Sequence, residues 1–263
     1  MDDILRTIAD YARERVKQKK EILPEERIRE LALASVREKN FPFETALREE
    51  GMSFICECKK ASPSKGLIDP DFDYLRIARQ YEEAGAAAIS CLTEPKWFLG
   101  KDEYLRQIAQ EVSIPVLRKD FTVDEYMIYE AKLLGASAVL LIVSLLSDAE
   151  LNRMREIADS LGLSALFEAH DKEEIETALR CGARLIGVNN RNLHYFTVDI
   201  HNSVTLRNYV PPEVLFTAES GIKTREDIAV LEEANVNAVL IGETLMRSEN
   251  KKAMLRKLKG DKA

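Results

Sequence analysis

The chain has 263 residues, 46% hydrophobic and 32% charged, with a formal net charge of −7, and its pI is about 5.3. This is the composition of a globular protein with a sizeable core, and its acidic balance argues against general nucleic-acid binding while leaving room for a local basic pocket. No apolar run approaches the ~18 residues of a membrane span, and the N-terminal Met-Asp-Asp-Ile-Leu lacks the basic and apolar regions of a signal peptide, so the cytoplasm is the expected location.

Residues 2–19 and 24–38 read as two helices. Pro24, Glu25 and Glu26 make a good first turn for the second, and Ile28, Leu31 and Ala32 form its apolar stripe. A short helical piece at 44–50 follows Phe41-Pro42-Phe43. These elements precede a repeating pattern and are expected to cover one end of it.

The pattern begins at Ser53. In the first strand, Phe54, Cys56 and Cys58 face one way, and Ile55, Glu57 and Lys59 the other. Two charges are thereby brought towards an interior, where each would cost several kcal/mol if unpaired. A structural ion pair at a strand end is the plainer account of them. The segment Ser62-Pro63-Ser64-Lys65-Gly66 then ends the strand with turn chemistry and donors suited to an anion. It is expected to be mobile without substrate and to close over it, excluding water.

Further strands are predicted at 88–93, 115–120, 138–144, 164–169, 185–189, 214–219 and 238–242. Helices separate them, at 72–84 with its stop at Gly85, to about 112, at 124–134, from the cap Ser147 to before Gly162, and at 171–182. A less regular helix near 200–209, one capped by Thr224 and a basic C-terminal helix complete the series. About eight strand–helix units in roughly 200 residues match an α/β fold, the (β/α)8 TIM barrel, here with extra N-terminal helices. Residues 1–263 are read as a single barrel domain, with 1–50 a helical extension over its mouth. The near-continuous apolar strands suit a parallel sheet buried on both faces. A doubly wound open sheet would want a Gly-rich turn after the first strand, which is absent.

Glu57, Lys59, Lys119, Glu168, Asn189, Arg191 and Glu219 all fall at C-terminal strand ends. In a barrel those ends meet at one mouth, where the active sites of this fold lie. Gly221 and Gly242 follow the seventh and eighth strands, the usual phosphate grip of the fold, and allow backbone N–H groups to approach an anion closely. His170, His194 and His201 lack a metal-ligand spacing, so no metal is expected, and His170 reads as a helix-start or surface residue. Cys56, Cys58, Cys91 and Cys181 lack Cys-x-x-Cys spacing and read as small buried apolar residues.

Six segments carry a resemblance. They are Glu57-Cys-Lys59-Lys-Ala-Ser-Pro-Ser64-Lys-Gly66, Pro115-Val-Leu-Arg-Lys119-Asp-Phe121, Phe167-Glu168-Ala-His, Gly187-Val-Asn189-Asn-Arg191-Asn-Leu193, Ala218-Glu219-Ser220-Gly221-Ile and Leu240-Ile-Gly242-Glu243. Together the chain resembles the indole-3-glycerol phosphate synthase family of ribulose-phosphate-binding barrels over essentially its whole length. Ala169, Pro95, Trp97 and Glu243 are mild departures from the family pattern, and no fused isomerase domain is expected.

The resemblance implies cyclisation, decarboxylation and dehydration of 1-(2-carboxyphenylamino)-1-deoxyribulose 5-phosphate, without a cofactor. It implies that Lys119 is the acid for ring closure, that Glu57, Lys59 and Glu168 share the later proton transfers, and that Asn189 orients Glu168 or a hydroxyl. It also places Ser220 among the catalytic residues. Phe121, Leu140 and Leu193 would hold the anthranilate ring and Arg191 an anionic group. Ser64, Glu219, Gly221, Leu240, Gly242 and Glu243 complete the substrate contacts. The expected partner is a phosphorylated small molecule, with neither nucleic acid nor membrane, and the expected state a monomer or at most a weak homodimer. A sister isomerase on the same barrel would instead need a cysteine–aspartate pair. A non-catalytic metabolite-binding protein would tolerate loss of Lys119 and Glu168, and both are intact.

Overall fold

A computed structural model describes residues 4–36, 39–191 and 197–260. Its eight long strands are Ser53–Cys58, Ala88–Leu92, Val116–Lys119, Ala138–Ile142, Ser164–Ala169, Leu185–Asn189, Leu215–Glu219 and Ala238–Ile241. Each pairs in parallel with its neighbours in chain order, and the first also pairs with the last, so the sheet closes. The register there sets Cys56 beside Ile241 and Ile55 beside Ala88. Most strand residues are buried, which is why the strands read as unbroken apolar runs.

Helices follow the strands with the expected caps. Ser147 forms a capping box with Glu150, and Thr224 one with Asp227. The left-handed backbone of Gly85 and Gly135, with φ of 79° and 89°, terminates the helices before them. Several boundaries differ from expectation by a few residues. The third strand stops at Lys119 because Asp120 leaves the ladder to pair with Arg15 and Thr93. The fourth stops at Ile142, where residues Val143–Leu145 make a 3₁₀ turn. After the first strand, Ala61–Ser62 and Gly66–Leu67 form a small antiparallel hairpin rather than a plain turn.

The N-terminal helices α1 (Ile4–Ile22), α2 (Glu25–Ala34) and α3 (Pro42–Leu47) sit at different places. Helix α1 buries Ile8, Ala9, Ala12 and Val16 and lends Ile4, Leu5 and Ile8 to the wall of the mouth. Its basic face is anchored by Lys19, 2.5 Å from Asp102 and 2.6 Å from Glu130, and by Arg15, 2.7 Å from Asp120. Helix α3 lies at the opposite end of the barrel, where Glu44 meets Arg184 just before the sixth strand. The mouth is thus lined by α1 alone among these helices. Helix α3 follows the chain to the bottom because the first strand must start there.

Candidate active site

The C-terminal strand ends enclose a cavity of about 550 Å³. Side-chain alternation sends Lys119 into it and Arg118 behind the strand, where the buried guanidinium lies 2.7 Å from both Asp102 and Glu130. Each charge on this short strand therefore has partners, and the two sets do not mix.

Inside the cavity, Lys119 Nζ donates to Glu168 Oε2 at 2.7 Å and lies 3.5 Å from Glu219 Oε2. Lys59 Nζ donates to Glu57 Oε1. Asn189 Nδ2 donates to Glu168 Oε1 at 3.2 Å, and Asn189 Oδ1 accepts from the backbone of Arg191, which fixes the amide's orientation. Two ammonium groups and three carboxylates, drawn from strands one, three, five and seven, share one partly enclosed space.

Their environments push these groups apart. Burial disfavours the charge on Lys119, but Glu168, Glu219 and Glu57 outweigh it and hold its pKa above the ordinary lysine value. Burial also opposes the Glu168 carboxylate, yet Lys119, His170 and the Asn189 amide hold its pKa down, at about 2. Glu219 receives less help. Burial pushes it up to about 7, Lys119 pulls the other way, and the like charges of Glu168 and Glu57 add to the rise. A carboxyl poised near neutrality beside a fixed ammonium is suited to moving a proton.

Glu219 gives a test of this arrangement. Between the ordinary carboxylate range and about pH 7 the folded chain holds a proton that the unfolded chain has released, so raising the pH through that window lowers stability. Glu168 acts in the opposite sense, its contribution being lost on acidification. Glu219→Gln removes the first effect. The melting temperature of the variant, relative to the parent, should therefore be higher at about pH 8 than at about pH 5. A difference independent of pH would show that Glu219 ionises normally.

The turn after strand seven is strained. Ser220 has φ of 68° and Gly221 of 87°, and Asn190 Nδ2 holds the Ser220 carbonyl at 3.2 Å. A left-handed serine costs of order 1 kcal/mol and survives where the surroundings enforce it, often at functional sites. Here a Cβ on Gly221 would also meet Val198 Cγ1 at 2.4 Å. Gly242 is needed for a reason the sequence did not suggest: a Cβ there would lie 2.3 Å from Glu57 Oε1 and 2.8 Å from Lys59 Nζ. Its missing side chain makes room for the Glu57–Lys59 ion pair.

Ser64, Phe121, Leu140, Arg191, Leu240 and Glu243 also line the cavity, whereas Leu193 and His194 lie outside the described residues. Of the two roles expected for His170, the structure gives it the helix-start one, with its backbone N–H donating to Glu174 Oε2 at 2.8 Å. Its Nδ1 lies 3.1 Å from Glu174, at the start of the next helix, and its Nε2 is buried 3.7 Å from Glu168 Oε1. Phe98 was not singled out from sequence, yet it lines the cavity with its ring 6.4 Å from that of Phe121. Buried Glu94 shapes its loop by accepting from the backbone N–H of Lys96, Trp97 and Phe98 at 2.7–2.9 Å. The available signal was its place after a strand's C-terminal end. All four cysteines are buried, none of them lines the cavity, and burial raises their pKa values. Among the described residues, no His, Cys, Asp and Glu group is arranged to hold a metal, and no helix is long and apolar enough to cross a membrane.

Comparison with known proteins agrees on both levels. The family model described as indole-3-glycerol phosphate synthase matches residues 5–258. The indole-3-glycerol phosphate synthase of Lachnoclostridium phytofermentans is 55% identical, over 97% of this chain and 98% of its own. That of Ruminiclostridium cellulolyticum is 52% identical, over 98% and 99%. Among solved structures, a 3-hexulose-6-phosphate synthase superposes with a TM-score of 0.65 at 14% identity, covering 81% of this chain and all of that one. At that identity the likeness is one of fold.

Proposed function

The chain belongs to the indole-3-glycerol phosphate synthase family, and from that membership we propose how its cavity performs the reaction. The reaction is ring closure, decarboxylation and dehydration of 1-(2-carboxyphenylamino)-1-deoxyribulose 5-phosphate to indole-3-glycerol phosphate, a lyase step of tryptophan biosynthesis.

The observation that carries the mechanism is Lys119 held as an ammonium between Glu168 and Glu219. Attack of the aromatic carbon on the ketone transfers an electron pair to the ketone oxygen. Lys119 stabilises the developing oxyanion and gives it a proton. An alkoxide is basic enough to take that proton even from an ammonium whose pKa is raised. Loss of CO₂ returns its bonding pair to the ring and restores aromaticity. Dehydration then removes the hydroxyl with a proton from an acid, while a base takes a proton from the neighbouring methylene. Glu57, Lys59 and Glu168 share these transfers, and Glu219, with its pKa near 7, relays protons to and from Lys119.

Phe98, Phe121 and Leu140 form the apolar wall for the anthranilate ring. The phosphate lies at the turns of Ser220, Gly221 and Gly242, with the cations of Arg191 and Lys65 in reach, as suits loops after strands seven and eight. Ser64 belongs to the hairpin that closes over the substrate, and α1 covers the mouth from the other side. The enzyme works in the cytoplasm on this small molecule alone, as a monomer or at most a weak dimer.

The purified protein incubated with the carboxyphenylamino substrate should develop indole absorbance. No change in absorbance with intact substrate would reject the reading. Conversion to an isomer without decarboxylation would favour the sister isomerase, whose cysteine the cavity lacks.

A further inference from the structure

Glu243 stands in the wall of the cavity beside the proposed phosphate grip and carries the wrong charge for an anion site. Its Oε1 lies 3.4 Å from Lys65 Nζ and 3.1 Å from Arg247 Nε, and its Oε2 lies 3.8 Å from Arg191 Nη2. The three cations come from the hairpin after strand one, the segment after strand six and the end of the short helix Glu243–Met246. Their side chains are partly exposed, between 20% and 50%, and such ion pairs add little to stability. The local backbone does not depend on them, since Thr244 Oγ1 donates to the Ile222 carbonyl at 2.6 Å and Leu245 and Met246 are buried. The carboxylate is therefore poorly explained as a fold-stabilising group.

Charge balance explains it better. Three cations against one carboxylate leave two positive charges unmatched, close to the charge of about −1.5 to −2 that a phosphate monoester carries near neutrality. We propose that Glu243 competes with the substrate phosphate for Lys65 and Arg191, so that phosphate binding must displace a carboxylate already paired with them. This rests on the phosphate grip assigned above. Glu243 then limits how tightly the phosphate end is held. Free phosphate is kept out, the full substrate enters through its other contacts, and the phosphorylated product leaves readily.

Inorganic phosphate as a competitive inhibitor tests this in the parent, Glu243→Gln, Glu243→Ser and Arg191→Gln. Both Glu243 variants should bind phosphate about 5- to 10-fold more tightly at low ionic strength, with the gain shrinking as salt is added. The KM for substrate should fall with no rise in kcat. Phosphate inhibition that weakens in Arg191→Gln but is not strengthened in either Glu243 variant overturns the competitor role alone. Inhibition unchanged in Arg191→Gln overturns the phosphate grip, and this inference with it.

Discussion

Lys119→Met is expected to lower kcat by about a hundredfold or more, as loss of a general acid does, while KM changes far less. Methionine keeps a similar length and apolar stem, so the wall of the cavity is preserved. What disappears is the charge that Glu168 and Glu219 hold in place. That charge matters most when the ketone oxygen becomes anionic, so under the proposed mechanism its loss falls on the transition state rather than on binding, which the proposed phosphate grip supplies. Arginine should not rescue the variant, because a guanidinium hardly gives up a proton. Activity within about threefold of the parent, in a folded variant that binds substrate, would remove Lys119 from the mechanism and leave Lys59 as the acid.

Gly242→Ala should separate catalysis from stability. The new methyl would collide with Glu57 Oε1 and Lys59 Nζ, which are the free ends of flexible side chains, while no backbone atom is among its close neighbours. Those ends can move, so the melting temperature should shift by only a few degrees, as for a change of roughly 1 kcal/mol or less. The pair cannot keep its place, however. A displacement of about 1 Å in a reacting constellation costs on the order of a hundredfold, and kcat should fall by that amount. A large rise in KM with normal kcat would instead assign Gly242 to phosphate approach alone.

Much of this site was legible before the fold. A period of two places Glu57 with Lys59 and opposes Lys119 to Arg118, and polar residues recur at one end of successive strands. Helix caps at Ser147 and Thr224 are equally local, each satisfied by a residue three positions on. The eightfold alternation of strand and helix pointed to a barrel because short parallel connections leave few other topologies.

Other features depend on closure. Strand eight comes beside strand one only when the sheet closes, and this gives Gly242 a second use beside the proposed phosphate turn, as the space that Glu57 and Lys59 occupy. Lys119 meets a carboxylate 49 residues away, and the sign of its pKa shift depended on whether burial or three neighbouring carboxylates won. Spacing cannot decide that, because both effects are set by distances across the cavity. Phe98 was missed for the same reason, taking its meaning from Phe121 on another loop. Which residues face the mouth follows from the order of residues alone, since alternation along a strand is a property of consecutive residues. Which of them touch, and with what charge, follows from barrel closure, because closing the sheet sets the distances on which electrostatics depend.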